Sequence, residues 1–199
     1  MLGFLEEPEM RFIRYAGIGP RDITEPVANV LTVIAQGLCD SNCWLHSGWS
    51  RGSDQAFAAG SAINRQTQFI PWESFNDVNK IPQENLGEHD PFIVVNHSEQ
   101  SMRLASQYHP YWNRMHQNTK MLMSRNVFIL LGADLRTPVD FVVFWQSLED
   151  DQSVTSGTNH TRRMAQSFGI PLFNMRVPAD QDALVNHVLI KQAELQGVR

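Results

Sequence analysis

Two hydrophobic periods alternate along this chain. Arg11 to Gly17 (RFIRYAG) reads as a short strand running into the glycine-punctuated turn GIGPRD. Val27, Val30, Leu31, Ile34 and Leu38 then recur at helical spacing and predict one buried helix face. Thr24 stands where it can cap that helix, and Pro26 is tolerated in its first turn. Trp44 to Ser47 predicts a second strand, followed by a turn and a helix from about Ser53 to Asn64. Thr67 to Pro71 (TQFIP) predicts a third strand.

Residues 72–97 lose the pattern and are rich in Asn, Pro, Asp and Glu. They predict a long surface excursion, a lid or binding loop, holding one short apolar piece from Phe92 to Val95. From about Glu99 to Met123 the pattern is helical, broken near His109-Pro110. Asn126 to Leu131 (NVFILL) and Val139 to Trp145 (VDFVVFW) are near-continuous apolar runs, which fit central parallel strands covered on both faces. Thr158 to Phe168 predicts a helix stopped by Gly169. Ile170 to Met175 predicts another strand, and residues 180–195 a closing helix.

Strands alternating with helices predict an α/β fold: a doubly wound, mostly parallel Rossmann-like sheet with helices on both faces. No repeat or linker divides the chain. The expectation is therefore one domain over residues 1–199, with its core at about 11–175. No apolar run reaches the roughly 20 residues of a membrane span. MLGFLEEPEM lacks the features of a signal peptide, so the cytoplasm is the expected location.

Charge changes this picture a little. The chain carries a net charge of -5, which weighs against strong non-specific binding of nucleic acid. Yet among the 16 basic residues only Lys80, Lys120 and Lys191 are lysine. The arginine-rich balance suits bidentate anion contacts. Cys39 and Cys43 read as free thiols, and the 7 histidines show no metal-ligand spacing, so no metal and no cofactor are expected.

Three turns follow predicted strands and open predicted helices: Gly17-Ile18-Gly19-Pro20-Arg21, then Ser47-Gly48-Trp49-Ser50-Arg51-Gly52-Ser53-Asp54, then Thr155-Ser156-Gly157-Thr158. A parallel sheet gathers such turns at its carboxyl edge, where ligands of these folds sit. Glycine lets backbone approach a ligand, and helix starts present free N–H groups to anions. Arg21 and Arg51 add charge; Ser47, Ser53 and Thr158 add hydroxyls. Asp54 either caps its helix and holds Arg51 or accepts a hydrogen bond from a sugar. A P-loop and a complete dinucleotide fingerprint are both absent. Tyr108, Tyr111 and Trp112, with Arg103 and Arg114 nearby, form an aromatic cluster suited to base stacking, to a dimer contact or to ordinary packing on the sheet.

YAGIGPRD, SGWSRGSDQAF, RNVFILLGADLRTPVDFVVFW and SGTNHTRRMAQSFGIPLFN together resemble the SLOG superfamily of Rossmann-like proteins. Within it they look most like the compact DprA-like (DNA-processing protein A) group often encoded by bacteriophages. The resemblance runs from about Tyr15 to Asn174. It implies that the glycine turns bind a nucleotide, a nucleotide-derived ligand or the phosphates of single-stranded DNA. Gly17, Gly19 and Arg21 match the group's G-S-R. Ser47, Gly48, Arg51, Gly52 and Asp54 match S-G-G-A-R-G-A-D, and Ser156, Gly157 and Thr158 match G-G-T. Pro20, Trp49 and Ser156 depart from the pattern, and Trp49 stands at a glycine position, where it either narrows the pocket or offers a stacking face.

The enzymatic branch of the superfamily, similar to cytokinin-activating phosphoribohydrolases, has a glutamate where this chain has Thr161. His160 reads as a lone helix-surface histidine, and Asp140 and Glu149 have no pairing that suggests catalysis. The resemblance favours a non-enzymatic, dimeric protein that binds single-stranded DNA and assists a RecA-type recombinase, in the host cytoplasm if phage-encoded. Sequestration of a nucleotide-derived ligand and N-glycosidic hydrolysis of a nucleotide are the alternatives.

Overall fold

The structure, a computed structural model, describes residues 11–86, 88–147 and 156–197. Six strands form one sheet: β1 (Ile13–Ile18), β2 (Cys43–Ser47), β3 (Gln66–Ile70), β4 (Phe92–Val94), β5 (Phe141–Phe144) and β6 (Leu172–Asn174). Their order is β4-β3-β2-β1-β5-β6 and every pairing is parallel. The chain winds outward from β1 to β4, then returns to the other side of β1 with β5. Strand order therefore reverses between β1 and β5, the place where doubly wound sheets leave a crevice.

Side-chain alternation assigns the two faces. Ile13, Tyr15, Phe141 and Val143 point to the side covered by α1 (Glu25–Asp40), α2 (Ser53–Gly60) and α6 (Pro178–Leu195), where they meet Leu31, Phe57 and Leu184. Ala16, Ile18, Val142 and Phe144 point to the opposite side, under α3 (Glu99–Ser106), α4 (Gln117–Leu131) and α5 (Gly157–Ser167). Burying a Phe or Leu side chain there stabilises the fold by about 1.5–3 kcal/mol.

Two elements differ from expectation. Asn126 to Leu131, expected as a strand, is the second half of α4. Met123 to Leu130 are all buried, so the polar stripe that betrays a surface helix is missing. A short apolar run of this kind has no periodicity to separate helix from strand. The breaker lies only at its end, where Gly132 takes φ +73. Within the 72–97 excursion, Phe92–Val94 becomes the edge strand β4, paired with Gln68, Phe69 and Ile70. Thr24 is the N-cap residue of α1, but its side chain makes no capping bond. Among the described residues no helix is long and apolar enough to cross a membrane.

Two histidines are built into the core. His46 Nδ1 lies 3.3 Å from the Ile129 carbonyl, and His160 donates from Nε2 to the Ala105 carbonyl at 2.9 Å. His160, expected on a helix surface, is fully buried because the first turn of α5 faces α3. Burial lowers each from the usual 6.5 to about 4, against the raising effect of the carbonyl contacts. Both are neutral in the fold at neutral pH. As the pH falls below 6.5, the unfolded chain takes up these protons first, so stability is complete above 6.5 and drains away towards about 4. At about pH 5 each histidine should lower the unfolding free energy by about 2 kcal/mol. Thermal unfolding followed from neutral pH to about pH 4 should show this decline, flattened in His160→Gln. A constant melting temperature down to about pH 5 would contradict it.

Candidate functional site

A cleft of about 550 Å³ opens at the carboxyl edge of the sheet, over the reversal between β1 and β5. One wall is the turn from Ile18 to Asp22, and a second is Ser50 and Asp54 from the loop between β2 and α2. α4 supplies Thr119, Leu122, Met123, Arg125, Asn126 and Ile129, and the start of α5 supplies Ser156, Gly157, Thr158 and Thr161. Residues of all three glycine turns thus meet at one place. Thr155 and Glu149 lie outside the described residues.

The first two turns are locked together. Ser53 donates to the Pro20 carbonyl from its backbone N–H at 3.1 Å and from its hydroxyl at 3.0 Å. A Cβ at Gly19 would collide with the Ser53 side chain, and one at Gly52 with the Arg21 carbonyl. Gly52 also takes φ +79, a conformation that side chains resist. Ser47 donates to the Gly17 carbonyl at 2.7 Å, which ties the ends of β1 and β2.

Of the residues singled out in the sequence, Gly19, Arg21, Asp54, Ser156, Gly157 and Thr158 line the cleft. Gly17, Ser47, Gly48, Gly52 and Ser53 brace it from behind. Arg51 is exposed and is not part of the lining. Trp49 is also outside it, with its ring edge-to-face on Phe92 at 4.9 Å. Three amides of the middle loop are occupied internally: Trp49 donates to Gln68 Oε1, Ser50 to Asp54 Oδ2 and Ser53 to the Pro20 carbonyl. That loop is a brace rather than an open anion cradle.

Two further amides open at the start of α5. Ser156 accepts from the Asn159 amide and caps α5, while the Gly157 and Thr158 amides have no acceptor among the described residues. Helix starts leave such groups for a ligand. Beside them lies Arg125, which the sequence reading passed over. Its guanidinium is buried and donates to Ser50 Oγ at 3.1 Å and to the Phe69 carbonyl at 3.5 Å. Nη1 stands 3.7 Å from Asp54 Oδ2, and Nε has no partner. A Cβ at Gly48 would fall on the guanidinium and displace it. So Asp54 holds Arg125, not Arg51.

Burial pushes the Asp54 carboxyl above its usual value, with Arg125 and Ser50 opposing the rise. Burial also lowers Arg125 to about 10, which leaves it cationic at neutral pH. The cleft thus offers one under-satisfied buried cation, a second cation on exposed Arg21 and two free amides, against the carboxylates of Asp22 and Asp54. Thr161, at the position of the hydrolase glutamate, donates its hydroxyl to the Gly157 carbonyl at 2.9 Å. Arg125 and Asn126 left one signal in the sequence: a charged and an amide side chain inside an apolar run, where such groups are rare unless paired or functional.

No protein-family profile matches the chain, and no curated protein matches it in sequence. Its architecture matches a solved structure of DNA processing protein A from Helicobacter pylori, described for its single-stranded DNA binding mode. The alignment covers 93% of this chain and 80% of that one, with a TM-score of 0.52 and 16% sequence identity. The two share a fold.

Removing one partner of a buried pair leaves the other charge uncompensated, at a typical cost of about 3–5 kcal/mol. Asp54→Ala should therefore lower stability in urea by that order, while Asp54→Ala combined with Arg125→Met should lose much less than the sum of the single changes. Strict additivity would show that the pair does not couple.

Proposed function

We propose that the cleft binds the phosphate of a nucleotide unit and that the ligand is single-stranded DNA. The observation that carries this reading is Arg125: a buried guanidinium with spare donor capacity beside the two free amides that open α5. A phosphate is the group that a planar cation and a helix start both favour. The shared architecture with a protein described for single-stranded DNA binding supports the same ligand.

In this reading Gly19, Arg21, Ser156, Gly157 and Thr158 contact the ligand, with Gly17, Ser47, Gly48, Gly52, Ser53 and Asp54 shaping the loops. Arg51 and Trp49 lie outside the cleft lining and contact the strand beyond it. On this reading the protein is a compact DprA-like member of the SLOG superfamily that works in the cytoplasm, the host's if it is phage-encoded, and passes a bound strand to a RecA-type recombinase. We also read it as a homodimer. The groove between α1 and α6 holds about 640 Å³, exposes Val33, Val185 and Leu189, and is lined by no charged residue. Two copies of a chain with net charge -5 can meet there without bringing like charges into direct contact.

One feature favours a second ligand, a single nucleotide or nucleotide-derived signal. The cleft matches its two arginines with two aspartates, a balance better suited to one phosphate and a sugar than to a polyanion.

Gel retardation of an oligonucleotide of about 40 nucleotides at about 50 mM salt should show binding that weakens as salt rises. Arg21→Ala, a change at an exposed side chain, should weaken it and make it less salt-dependent. No retardation of the wild-type chain, together with a melting temperature raised by mononucleotides, would replace the DNA reading with the small-ligand one.

A further inference from the structure

We propose a second nucleic-acid contact outside the cleft, a stacking platform formed by Tyr111 with Arg114 and Lys120. It would take the bases of a single DNA strand whose phosphate occupies the cleft, so it rests on the strand-binding reading above.

Charge distribution points to this surface first. Residues 100–133 contain no Asp or Glu, although the chain has 21 of them. The same stretch carries Arg103, Arg114, Lys120 and Arg125. Arg125 is at the cleft. Arg103 and Arg114 are exposed, and neither has an acidic partner among the described residues. An acidic protein thus presents one uniformly basic segment, and that segment forms a wall of the candidate site.

The aromatic cluster divides by burial. Tyr108 packs edge-to-face on Phe168 at 6.1 Å, and Trp112 is half-buried against the core under α4. Tyr111 does neither. At 49% exposure it is the one exposed aromatic side chain among the described residues. Its backbone is held in place, since its N–H donates to His109 Nδ1 at 3.3 Å and its carbonyl accepts from Arg114 at 2.9 Å. A hollow of about 520 Å³ lies beside it, lined by residues from Ser106 to Arg114.

The first turn of α4 takes part in both places. Thr119 lines the cleft, and the next residue, Lys120, holds its ammonium 5.9 Å from the Trp112 ring centre. A strand leaving the cleft along the first turn of α4 would thus come to Lys120 and Trp112, which Tyr111 and Arg114 adjoin in the hollow. A ring face with neighbouring cations and no dedicated base-edge reader is the chemistry of sequence-tolerant single-strand binding, because every base offers a π-face. A duplex keeps those faces stacked and out of reach.

The test compares ligands of two lengths. An oligothymidylate of about 12 nucleotides is long enough to reach both sites, whereas a phosphorylated dinucleotide fills only the cleft. Tyr111→Ala should weaken the longer ligand by about tenfold, within the range of one lost base stack, and leave the dinucleotide unchanged. Tyr111→Phe should bind as the wild type does. Arg114→Ala should reduce the slope of log affinity against log salt by about 0.7, and the longer ligand alone should quench the part of the tryptophan fluorescence that Trp112→Phe removes. Wild-type affinity in both Tyr111→Ala and Arg114→Ala would overturn the platform while leaving the cleft reading intact. A shift in oligomeric state with unchanged DNA binding would also overturn it, making Tyr111 a contact between copies. If the wild type binds neither single strand, the cleft reading fails and the platform fails with it.

Discussion

Asp54 and Arg125 lie 3.7 Å apart with almost no solvent around either, and the shape of the cleft follows from that pair. Taking both charges out of water is costly, and the partial hydrogen bonding of the guanidinium does not offset all of that cost. The structure accommodates the pair by shaping everything near it. Gly48 gives up a side chain so that the guanidinium can lie against the backbone, and Ser50 supplies an acceptor to Arg125 and an amide to Asp54. The loop after β2 is thereby pinned to α4. Because Ser53 and Gly52 clamp the loop after β1, both turns are fixed before any ligand arrives. Preorganised donors lose little freedom on binding.

Much of the fold was legible because it rests on periodicity. Phe141 to Phe144 alternate between two cores, and a near-continuous apolar run is what a strand covered on both faces must look like. The same rule misled at Asn126 to Leu131. A helix buried all round and a strand buried on both faces produce the same apolar run, and only three-dimensional packing separates them. That error hid Arg125, since a residue placed at the join of a helix and a strand does not look like one aimed into a cleft. The glycine turns were legible as turns. Their internal pairing of donors was not, because Gln68 and Pro20 lie 19 and 33 residues from the amides of Trp49 and Ser53 that they accept. Arg51 therefore looked like the natural partner of Asp54, when burial selects Arg125 instead.

Charge follows the same division between local and global. A net charge of -5 describes the whole surface and says little about one face. Residues 100–133 hold all their charge in one sign, and α4 carries that sign into the cleft. Inside the cleft, Asp22 and Asp54 limit how positive it becomes. The balance sets a gradient, with Arg114 and Lys120 outside any such compensation among the described residues. A strand would be attracted along the outer segment and registered by one phosphate at Arg125.

Trp49 ties the remaining element to this design. It takes φ +56, a left-handed conformation that costs a side-chain-bearing residue about 1–2 kcal/mol and costs glycine nothing. The S-G-G pattern that this stretch resembles has glycine there, the residue such a conformation suits. Here the conformation is held from three directions: Gln68 accepts the Trp49 amide, Asn76 donates to its carbonyl at 2.8 Å, and Phe92 packs on its ring. Asn76 and Phe92 both belong to the 72–97 excursion. The tryptophan thus exchanges local strain for an attachment that glycine has no side chain to make, fastening the excursion and its edge strand to the loop that positions Asp54. Any displacement of that excursion would act on Trp49 first, then on Ser50 and Asp54, and so on the orientation of Arg125 in the cleft.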